Sequence, residues 1–308
     1  MKGKFTKIIA TALAALGLFA FASCTTSNTE KNITIVARDA SSGTREAFDT
    51  VVTADGKTYL QGKDPSGDKY FNTSKKAILL EKTSGVITTV AGDKNAIGYI
   101  SLGSVNDTVK VANVEGVTPS KETVLDGTYK IQRPFVLMTK KNKPAHALAD
   151  DFMAFLKSEN AKQACDDSGV IYLADEAKRG TAVVTFAKQE TLPAGDKIVI
   201  RGSTSMEAVI LAECAAYAKL YNVKAETIFD VQLEGSSKGK AAAKADSVGN
   251  VIGLSSAAVK DEALDSWNIC LDAVAVILNK DNTIGNFTLA QLYKIYTGEI
   301  TKFSEINK

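Results

Sequence analysis

Histidine, proline and tryptophan are scarce in this sequence of 308 residues. It contains one histidine, five prolines and one tryptophan. His146 has no paired cysteines to complete a ligand set, which excludes the usual transition-metal constellations. It lies at a predicted helix start, where we expect it to be solvated or to cap the helix. Because one such histidine offers neither a nucleophile–base pair nor a metal site, we expect a protein that is not an enzyme and needs no cofactor.

Cysteine is also scarce, and its number excludes a disulfide framework. Apart from Cys24, near the N-terminus, the sequence has three cysteines, Cys165, Cys214 and Cys270. An odd number cannot pair completely. Cys214 lies in the apolar stretch "MEAVILAECAAY", which predicts a buried thiol.

An apolar run near the N-terminus is too short to span and hold a membrane. The run "IIATALAALGLFAFAS" follows three lysines and ends directly before Cys24. This arrangement is typical of a bacterial lipoprotein signal, although Phe21 replaces the usual leucine three residues before the cysteine. The pattern predicts a signal peptide over 1–23, lipidation of Cys24 and a polar tether over 24–31. The alternative is an ordinary cleaved signal with an incidental cysteine.

The charge balance excludes a basic field for nucleic acid. The formal net charge is +2, from 37 basic and 35 acidic residues. Cleavage before Cys24 would remove three lysines and no acidic residue, which takes the net charge to about −1. We therefore expect no nucleic-acid partner.

Strand-like and helix-like segments alternate after residue 32, which predicts an α/β fold with a mostly parallel sheet. An irregular stretch over 174–196 is predicted to be a connector. The predicted strands cover 33–38, 96–102, 135–139, 197–201, 228–234, 250–255 and 273–279. The predicted helices cover 44–52, 84–93, 145–158, 205–221, 239–246, 257–264 and 288–298.

One kind of junction recurs four times, where a predicted strand runs through small hydroxyl residues into a predicted helix. The junctions are "SSGT" (41–44), "GSTS" (202–205), "GSS" (235–237) and "SS" (255–256). Helix N-termini carry unpaired N–H groups and a partial positive charge, and in open α/β sheets such junctions line the ligand-binding edge. Arg38 lies beside the first junction, and a guanidinium suits a tetrahedral oxyanion.

Two interpretations of these junctions stay open at this point. Ser and Thr are favoured helix caps anywhere, and Thr204 with Glu207 fits a capping box. The recurrence of doubled hydroxyls favours instead a pocket for a small, multiply charged oxyanion. The matches to nucleotide-binding and hydrolase motifs are weaker. The segment "GSSKGKA" is one residue short of a phosphate-binding nucleotide loop and has Ala241 where that loop would bind magnesium through Ser or Thr. Ser237 and Lys240 have the S-x-x-K spacing of some serine hydrolases, but the sequence has no K-T-G triplet after them.

Seven segments resemble the phosphate-binding lipoproteins of ABC-type phosphate importers, which belong to the periplasmic binding protein class. Together they touch most of residues 32–305. The resemblance implies a two-lobed type II periplasmic-binding-protein fold that captures inorganic phosphate between its lobes and delivers it to permease and ATPase subunits. It also implies a monomer outside the cytoplasm, attached to a bacterial membrane only by its lipid. The segments are "ARDASSGTREAF", "AIGYISLGSVND", "IRGSTSMEAV", "LEGSSKG", "IGLSSAAVK", "AVAVILNKDN" and "TLAQLYKIYTGEITKFSEI".

The resemblance also implies which residues contact phosphate. Two departures from the family concern selectivity. Ser256 stands where some members carry an aspartate that rejects sulfate. Ala40 stands where an aspartate often braces the arginine, and we expect the neighbouring Asp39 to brace it instead. Arg45, Ser203 and Ser237 are additional candidates. The phosphate contacts implied by matching positions are Arg38, Ser42, Gly43, Thr44, Thr204, Ser205, Ser236 and Ser256.

The order of the segments differs from that expected of the family, because the "GSTS" segment usually comes first. The chain end "YTGEITKFSEI" would lead directly into its beginning "ITIVARDASSGT", which predicts a circular permutation. One lobe would then comprise 32–131 plus 280–308 and the other 132–279, with 174–196 joining the ancestral termini. Two crossover strands, near 132–139 and 272–280, would form the hinge. Fusion or rearrangement of two half-genes is the alternative.

Three rival functions stay open. A receptor for sulfate, molybdate or another tetrahedral oxyanion would use the same pocket. A hydrolase or phosphatase on a similar fold would need a nucleophile and base that the sequence does not offer. A phosphate sensor or surface adhesin would bind identically but have no transport role.

Overall fold

Strands and helices alternate along residues 31–306, the part of the chain that the computed structural model describes. The predicted signal peptide (1–23), Cys24 and most of the predicted tether lie outside the described residues. Every predicted strand overlaps an observed one, and so does every predicted helix except that over 257–264. The fold is mixed α/β. No helix between residues 31 and 306 is long and apolar enough to cross a membrane.

The element bounds are as follows. The strands are β1 (Thr34–Arg38), β2 (Gln61–Lys63), β3 (Lys69–Phe71), β4 (Ile78–Leu80), β5 (Ala96–Ser101), β6 (Val109–Val114), β7 (Gln132–Lys140), β8 (Ile171–Tyr172), β9 (Ile198–Gly202), β10 (Phe229–Leu233), β11 (Val251–Ser255), β12 (Leu264–Asn279) and β13 (Asn286–Phe287). The helices are α1 (Gly43–Asp49), α2 (Thr83–Gly92), α3 (Lys121–Leu125), α4 (Ala147–Lys157), α5 (Lys162–Asp167), α6 (Glu176–Arg179), α7 (Glu207–Leu220), α8 (Ala225–Ile228), α9 (Ser236–Ala245) and α10 (Leu289–Thr297).

The long strand β12 joins two groups of strands. Its first part pairs antiparallel with β7, up to Ala273, and from Val274 onward it pairs antiparallel with β5 and β6. Parallel pairs lie further out on each side: β9 pairs with β10 and β11, and β1 with β4 and β5. The sheet is therefore mixed rather than mostly parallel, with the order β10-β9-β11-β7-β12-β5-β1-β4.

Two hydrophobic cores flank the position where β12 changes partners. The first core draws its buried side chains from 33–131 and 273–306, together with Ile171. The second core draws its buried side chains from 135–270. Burial of apolar surface on this scale is the main stabilising term in folding, so each group of strands and helices has its own packed interior.

Local sequence signals explain where several helices begin and end. Thr288 and Gln291 form a capping box at the start of α10, and Gly298 ends that helix in the left-handed conformation with φ of 86°. His146 is the N-cap of α4, where its Nδ1 accepts a hydrogen bond from the backbone N–H of Ala149 at 3.2 Å. This agrees with the capping role expected for the one histidine.

The helix predicted over 257–264 is wrong. Ser255 Oγ accepts from the N–H of Ala257 and donates to its carbonyl oxygen, which forms a local turn instead of a helix start. Leu264 already belongs to β12, where it pairs with Lys140. The fourth junction therefore leads from a strand into a turn.

In the predicted connector, 174–196, the structure has the short helix α6 and an isolated bridge between Val184 and Ser158.

Glu213 is an acidic side chain buried in the part of the molecule that contains the second hydrophobic core. It lies on α7 with no exposed surface, Cys165 Sγ donates to its Oε1 at 3.7 Å, and its Oε2 has no hydrogen-bond partner. Burial raises the pKa of Glu213 to about 10, and Cys165 adds to the shift. The carboxyl group is therefore protonated in the folded protein at neutral pH.

We predict that Glu213→Gln makes stability less dependent on pH. Between the ordinary pKa of 4.5 and about 10, the folded state holds a proton that the unfolded state releases, so native stability falls as pH rises. From pH 5 to pH 8, the native protein should lose about 1–4 kcal/mol more unfolding free energy than the variant. Urea unfolding followed by circular dichroism measures this. Identical pH dependence of the two proteins would contradict the assignment.

Candidate functional site

Arg38 is the buried centre of the site. It is the last residue of β1, and only 1% of its surface is exposed. Its Nε donates to the carbonyl oxygen of Leu80 at 3.1 Å, and its Nη2 donates to the carbonyl oxygen of Glu81. Within residues 31–306, no carboxylate forms an ion pair with this guanidinium. Burial lowers the pKa of Arg38 to about 10, which leaves it charged at neutral pH.

Hydroxyl groups surround the Arg38 guanidinium from both sides of the molecule, the first side being the one that contains the first hydrophobic core and the second side the one that contains the second core. Nη1 donates to Thr83 Oγ1 at 3.2 Å and to Thr44 Oγ1 at 3.5 Å, and Nη2 donates to Thr204 Oγ1 at 3.0 Å. Thr44 Oγ1 and Ser205 Oγ lie 2.6 Å apart, and Thr83 Oγ1 lies 3.2 Å from Thr204 Oγ1. Hydrogen bonds therefore link α1 and α2 to the turn that precedes α7.

A second group of hydroxyls comes from the second, third and fourth junctions. Ser203 Oγ donates to Ser256 Oγ at 2.8 Å. Ser236 Oγ lies 3.3 Å from Ser256 Oγ and accepts from the backbone N–H of Ser256 at 3.1 Å. All three side chains are buried.

Gly43 brings the two groups of hydroxyls close together. A Cβ atom built on Gly43 would lie 2.7 Å from both Oγ and the carbonyl carbon of Ser256, and 2.8 Å from Ser236 Oγ. No side chain fits in this space without displacing the opposite side. Glycine is required here by this close approach, since the structure shows no left-handed backbone at this residue.

Several helix N-termini meet at the site, and two of them have no side-chain cap. Ser42 caps α1, where its Oγ accepts from the N–H of Arg45 at 3.4 Å, and Ser203 caps the turn before α7. In contrast, α2 and α9 begin without a side-chain cap hydrogen bond. Their first N–H groups add positive potential, those of α2 beside Arg38 and those of α9 beside Ser256.

Thr204 does not form the capping box that its spacing to Glu207 suggested. Ser203 is the cap of this turn, and the Thr204 hydroxyl is directed to Arg38 and Thr83. The Thr204 hydroxyl therefore belongs to the hydroxyl network around the Arg38 guanidinium and does not cap a helix.

A buried ion pair between Arg133 and Asp272 contacts the backbone of the turn at Ser256. Arg133 on β7 donates through Nε and Nη2 to Asp272 Oδ2 on β12, at 3.1 and 2.9 Å. Arg133 Nη1 also donates to the carbonyl oxygen of Ser256 at 3.4 Å, and Ser101 Oγ donates to Asp272 Oδ1 at 2.8 Å. Burial raises the pKa of Asp272, while Arg133 and Ser101 oppose that shift.

Arg45 and Ser237, two of the additional candidates, do not join the hydroxyl network. Arg45 Nε pairs with Asp49 at 2.9 Å, and its Nη1 donates to the carbonyl oxygen of Arg38 at 3.2 Å. Ser237 Oγ donates at 3.4 Å to the carbonyl oxygen of Ser41. Ser203, the third additional candidate, belongs to the network through Ser256.

Asp39 does not brace Arg38 through a hydrogen bond. Its Oδ1 accepts from the N–H and the hydroxyl of Ser41, at 3.1 and 2.8 Å. The guanidinium is held instead by the carbonyl oxygens of Leu80 and Glu81. Carbonyl oxygens position the group without neutralising it, which leaves its charge available to a ligand.

The sequence interpretation missed Thr83 and Arg133. Thr83 follows the strand β4 in "ILLEKTSG", where two hydroxyl residues and a glycine begin the helix α2, so this is a fifth example of the recurring junction. That pattern was sufficient to find Thr83. Arg133 carries no comparable local signal, because its role depends on Asp272, which is distant in sequence but opposite it in the sheet.

Comparison of this chain with known proteins identifies the family to which it belongs. The chain matches the family model described as a PBP superfamily domain over residues 7–160 and 187–307. The phosphate-binding protein PstS 2 of Streptococcus pneumoniae serotype 4 is 33% identical over 313 residues, covering 98% of this chain and 99% of the relative. PstS 2 of Streptococcus agalactiae serotype V is also 33% identical, covering 100% and 99%.

A solved structure resembles the chain as well. It is the phosphate-binding protein of a phosphate ABC transporter from Streptococcus pneumoniae TIGR4, with 33% identity and a TM-score of 0.64, covering 89% of this chain and 99% of that one. This chain therefore belongs to the PBP superfamily and, within it, to the family of proteins named phosphate-binding protein PstS.

The near end-to-end alignment bears on the order of the segments. Since the S. pneumoniae relative aligns over almost the full length of both chains, its segments follow the same order as those of this chain. The order is therefore not peculiar to this sequence. Circular permutation relative to other members of the class stays a prediction.

We predict that Gly43→Ala destabilises the protein because its new Cβ would overlap Ser256 and Ser236. Overpacking of this kind costs about 1–3 kcal/mol. The matched control is Gly92→Ala in α2, where a Cβ meets nothing within 4 Å and should be neutral or stabilising. Unfolding free energies from urea titrations check both changes. Equal stability of the two variants would contradict the close approach at Gly43.

Proposed function

We propose that this chain captures inorganic phosphate and delivers it to the permease and ATPase subunits of an ABC importer. The observation that carries the proposal is Arg38, a buried guanidinium that is positioned by carbonyl oxygens and forms no ion pair with an acid among the described residues. A buried charge without a counter-charge is costly, and a bound anion offsets that cost. The names of the streptococcal relatives supply the anion, phosphate.

Each predicted contact has a chemical role in this proposal. Arg38 supplies the one formal positive charge that faces the ligand. Backbone N–H groups near Ser42 and Gly43, and at the start of α9, supply neutral donors. Hydroxyl groups replace the hydration shell of the anion from both sides, so that a desolvated dianion remains fully hydrogen-bonded. These hydroxyls belong to Thr44, Thr204, Ser205, Ser236 and Ser256.

The two hydrophobic cores support a division into two lobes. We propose a discontinuous lobe of 32–131 plus 280–308 and a second lobe of 132–279, with β7 and β12 as the hinge strands. Most of their buried residues separate along these limits, and the second core lies wholly within 132–279. The exceptions are Ile171 and four residues of β12, which belong to the first core: Ala273, Val274, Val276 and Leu278. The change of partners of β12 at Ala273 matches these exceptions on that strand. Closure of the lobes would bury the anion and create the surface that the membrane subunits recognise.

We also propose that the chain is circularly permuted relative to other members of its class, with 174–196 joining the ancestral termini. The backbone N–H of Ile33 donates to the carbonyl oxygen of Thr301 at 2.7 Å. The beginning and end of the described chain are therefore adjacent, as permutation requires.

Cys24 would attach the protein to the outer face of a bacterial membrane through a lipid, with residues 24–31 as a tether. The protein would act outside the cytoplasm as a monomer, and the lipid would keep it close to the importer. A sensor or adhesin would bind phosphate in the same way, and loss of phosphate uptake on deletion of the gene would distinguish transport from those roles.

A hydrolase on this fold has less support than a binding protein. His146 caps α4 through Nδ1, and its backbone N–H donates to Asp150 Oδ2 at 3.0 Å. None of the hydrogen bonds of the described hydroxyl network involves a histidine or carboxylate base. The network is suited to bind an anion and release it unchanged.

We predict that Arg38→Ala weakens phosphate binding at least about 100-fold, because a buried dianion would lose its charged partner. Isothermal titration calorimetry on purified protein freed of bound anion measures the change. The matched control is Arg201→Ala, since Arg201 pairs with Asp230 through Nη2 outside the hydroxyl network. Unchanged affinity in the Arg38 variant, or an equal loss in both, would contradict the proposed pocket.

A further inference from the structure

We propose that the folded body of this protein lies against the membrane through one face, the β4 face, and that anionic lipid is its partner there. The β4 face consists of the strand β4 with its flanking residues (74–82), the start of the described chain (31–35) and the segment 297–301. The inference goes beyond phosphate capture, and it rests on the proposed lipid attachment at Cys24. It assigns to the body a second, weaker contact with the same membrane.

The strand β4 forms one end of the sheet. Among the described strands it pairs only with β1, so its other edge is open. Ile78 and Leu79 are 41% and 53% exposed, and they are the only adjacent pair among the exposed large apolar side chains of residues 31–306. Because neighbouring residues of a strand point to opposite faces of the sheet, this edge presents apolar surface in both directions.

A groove runs beside this edge, and the start of the described chain lies in its wall. The groove has a volume of about 440 Å³, and Lys76 is one of its lining residues. Its apolar lining comes from β1, from β4 and from the segment 297–301. The groove therefore extends the apolar surface of β4 toward the first described residues. The apolar side chains that line it are Ile33, Ile35, Ile78 and Ile300.

The β4 face is positively charged. Its three segments carry four lysines and two glutamates, which gives a formal net charge of +2 by subtraction. All four lysines are exposed, and none forms an ion pair with an acid of the described chain. Lysines beside exposed apolar side chains suit an anionic membrane, because both features contribute to binding at its surface. The charged residues are Lys31, Lys75, Lys76, Lys82, Glu81 and Glu299.

A strand of another protein suits this edge less well than lipid does. The strand β4 has three residues, and lysines lie on either side of it. Short edge strands and nearby lysines are features that prevent edge-to-edge pairing of β-sheets. They do not prevent contact with lipid, in which apolar side chains enter the interface and lysines extend toward the anionic headgroups.

The position of the proposed tether brings this face to the membrane. Lys31 belongs to the face, and seven peptide bonds join Cys24 to it. A chain of this length spans at most about 25 Å. The start of β1 would therefore stay close to the lipid-bearing residue, at a high effective concentration of bilayer surface. A contact too weak to hold a free protein is then sufficient to orient a tethered one.

The test uses the one tryptophan of the sequence as an internal reference. Trp267 is 5% exposed and belongs to the second hydrophobic core. The full lipidated chain is reconstituted into vesicles of phosphatidylglycerol and phosphatidylcholine, whose acyl chains either carry bromine atoms or do not. Brominated lipid quenches a tryptophan only at close range, so the unmodified protein should show the same emission in both kinds of vesicle.

The Leu79→Trp variant places an indole on the β4 face, and we expect brominated vesicles to quench its emission. The matched control is Leu220→Trp, at an exposed leucine of α7 on the second side, which adds the same indole and should remain unquenched. Equal emission of the Leu79 variant in both kinds of vesicle, or equal quenching of the two variants, would overturn the inference. Circular dichroism verifies that each variant is folded.

Reversal of charge tests the assignment of anionic lipid. In the Leu79→Trp protein, Lys75→Glu together with Lys76→Glu takes the net charge of the face from +2 to −2, and the quenching should be lost. The matched control is Lys219→Glu together with Lys224→Glu, which makes the same change at exposed positions of the second side and should preserve the quenching. Quenching that persists in the first protein, or is lost equally in both, would overturn the assignment.

Flotation of the vesicles distinguishes failure of this inference from failure of the proposed function. Chains that do not float with the vesicles would overturn the proposed lipid attachment and this inference with it. Chains that float but show no quenching at residue 79 would overturn the inference alone. Titration of the same preparation with phosphate measures the proposed phosphate binding independently of both.

Discussion

The buried guanidinium of Arg38 is the constraint on which the rest of the site depends. A charge at the end of β1 with almost no exposed surface must be stabilised, and the chain does so with carbonyl oxygens, hydroxyls and no acid. Carbonyl oxygens hold the group in place but cannot neutralise it. The protein therefore holds a positive charge without an ion-paired acid where α1, α2 and the turn before α7 converge, and we propose that this charge attracts the anion.

The same constraint explains why the site is assembled from both sides of the molecule. Thr44 and Thr83 approach Arg38 from the first side, and Thr204 approaches from the second. The long strand β12 belongs to both groups of strands, and the Arg133–Asp272 pair fixes the Ser256 turn to the strands β7 and β12. A movement of one side relative to the other would thus change the number of hydroxyls around Arg38, and we propose that this couples ligand binding to closure.

Sequence reasoning predicted the alternation of strands and helices and the convergence of hydroxyl-rich junctions, because both arise from local patterns. It placed Arg38 at the end of a strand and Thr204 in the junction after one, but it could not distinguish a helix cap from a member of the hydroxyl network at Thr204. The helix predicted over 257–264 failed because pairing of Leu264 with β7 overrode a helical composition. The Arg133–Asp272 pair was not predictable, since only the sheet register brings these distant residues together.

The most direct test of the central claim is a crystal structure of the protein with bound phosphate. We expect phosphate oxygens within hydrogen-bond distance of the Arg38 guanidinium and of hydroxyls from both sides, including Ser236 and Ser256, with the guanidinium still held by the carbonyl oxygens of Leu80 and Glu81. A phosphate bound elsewhere, or one bound here without contact to Arg38, would contradict the account.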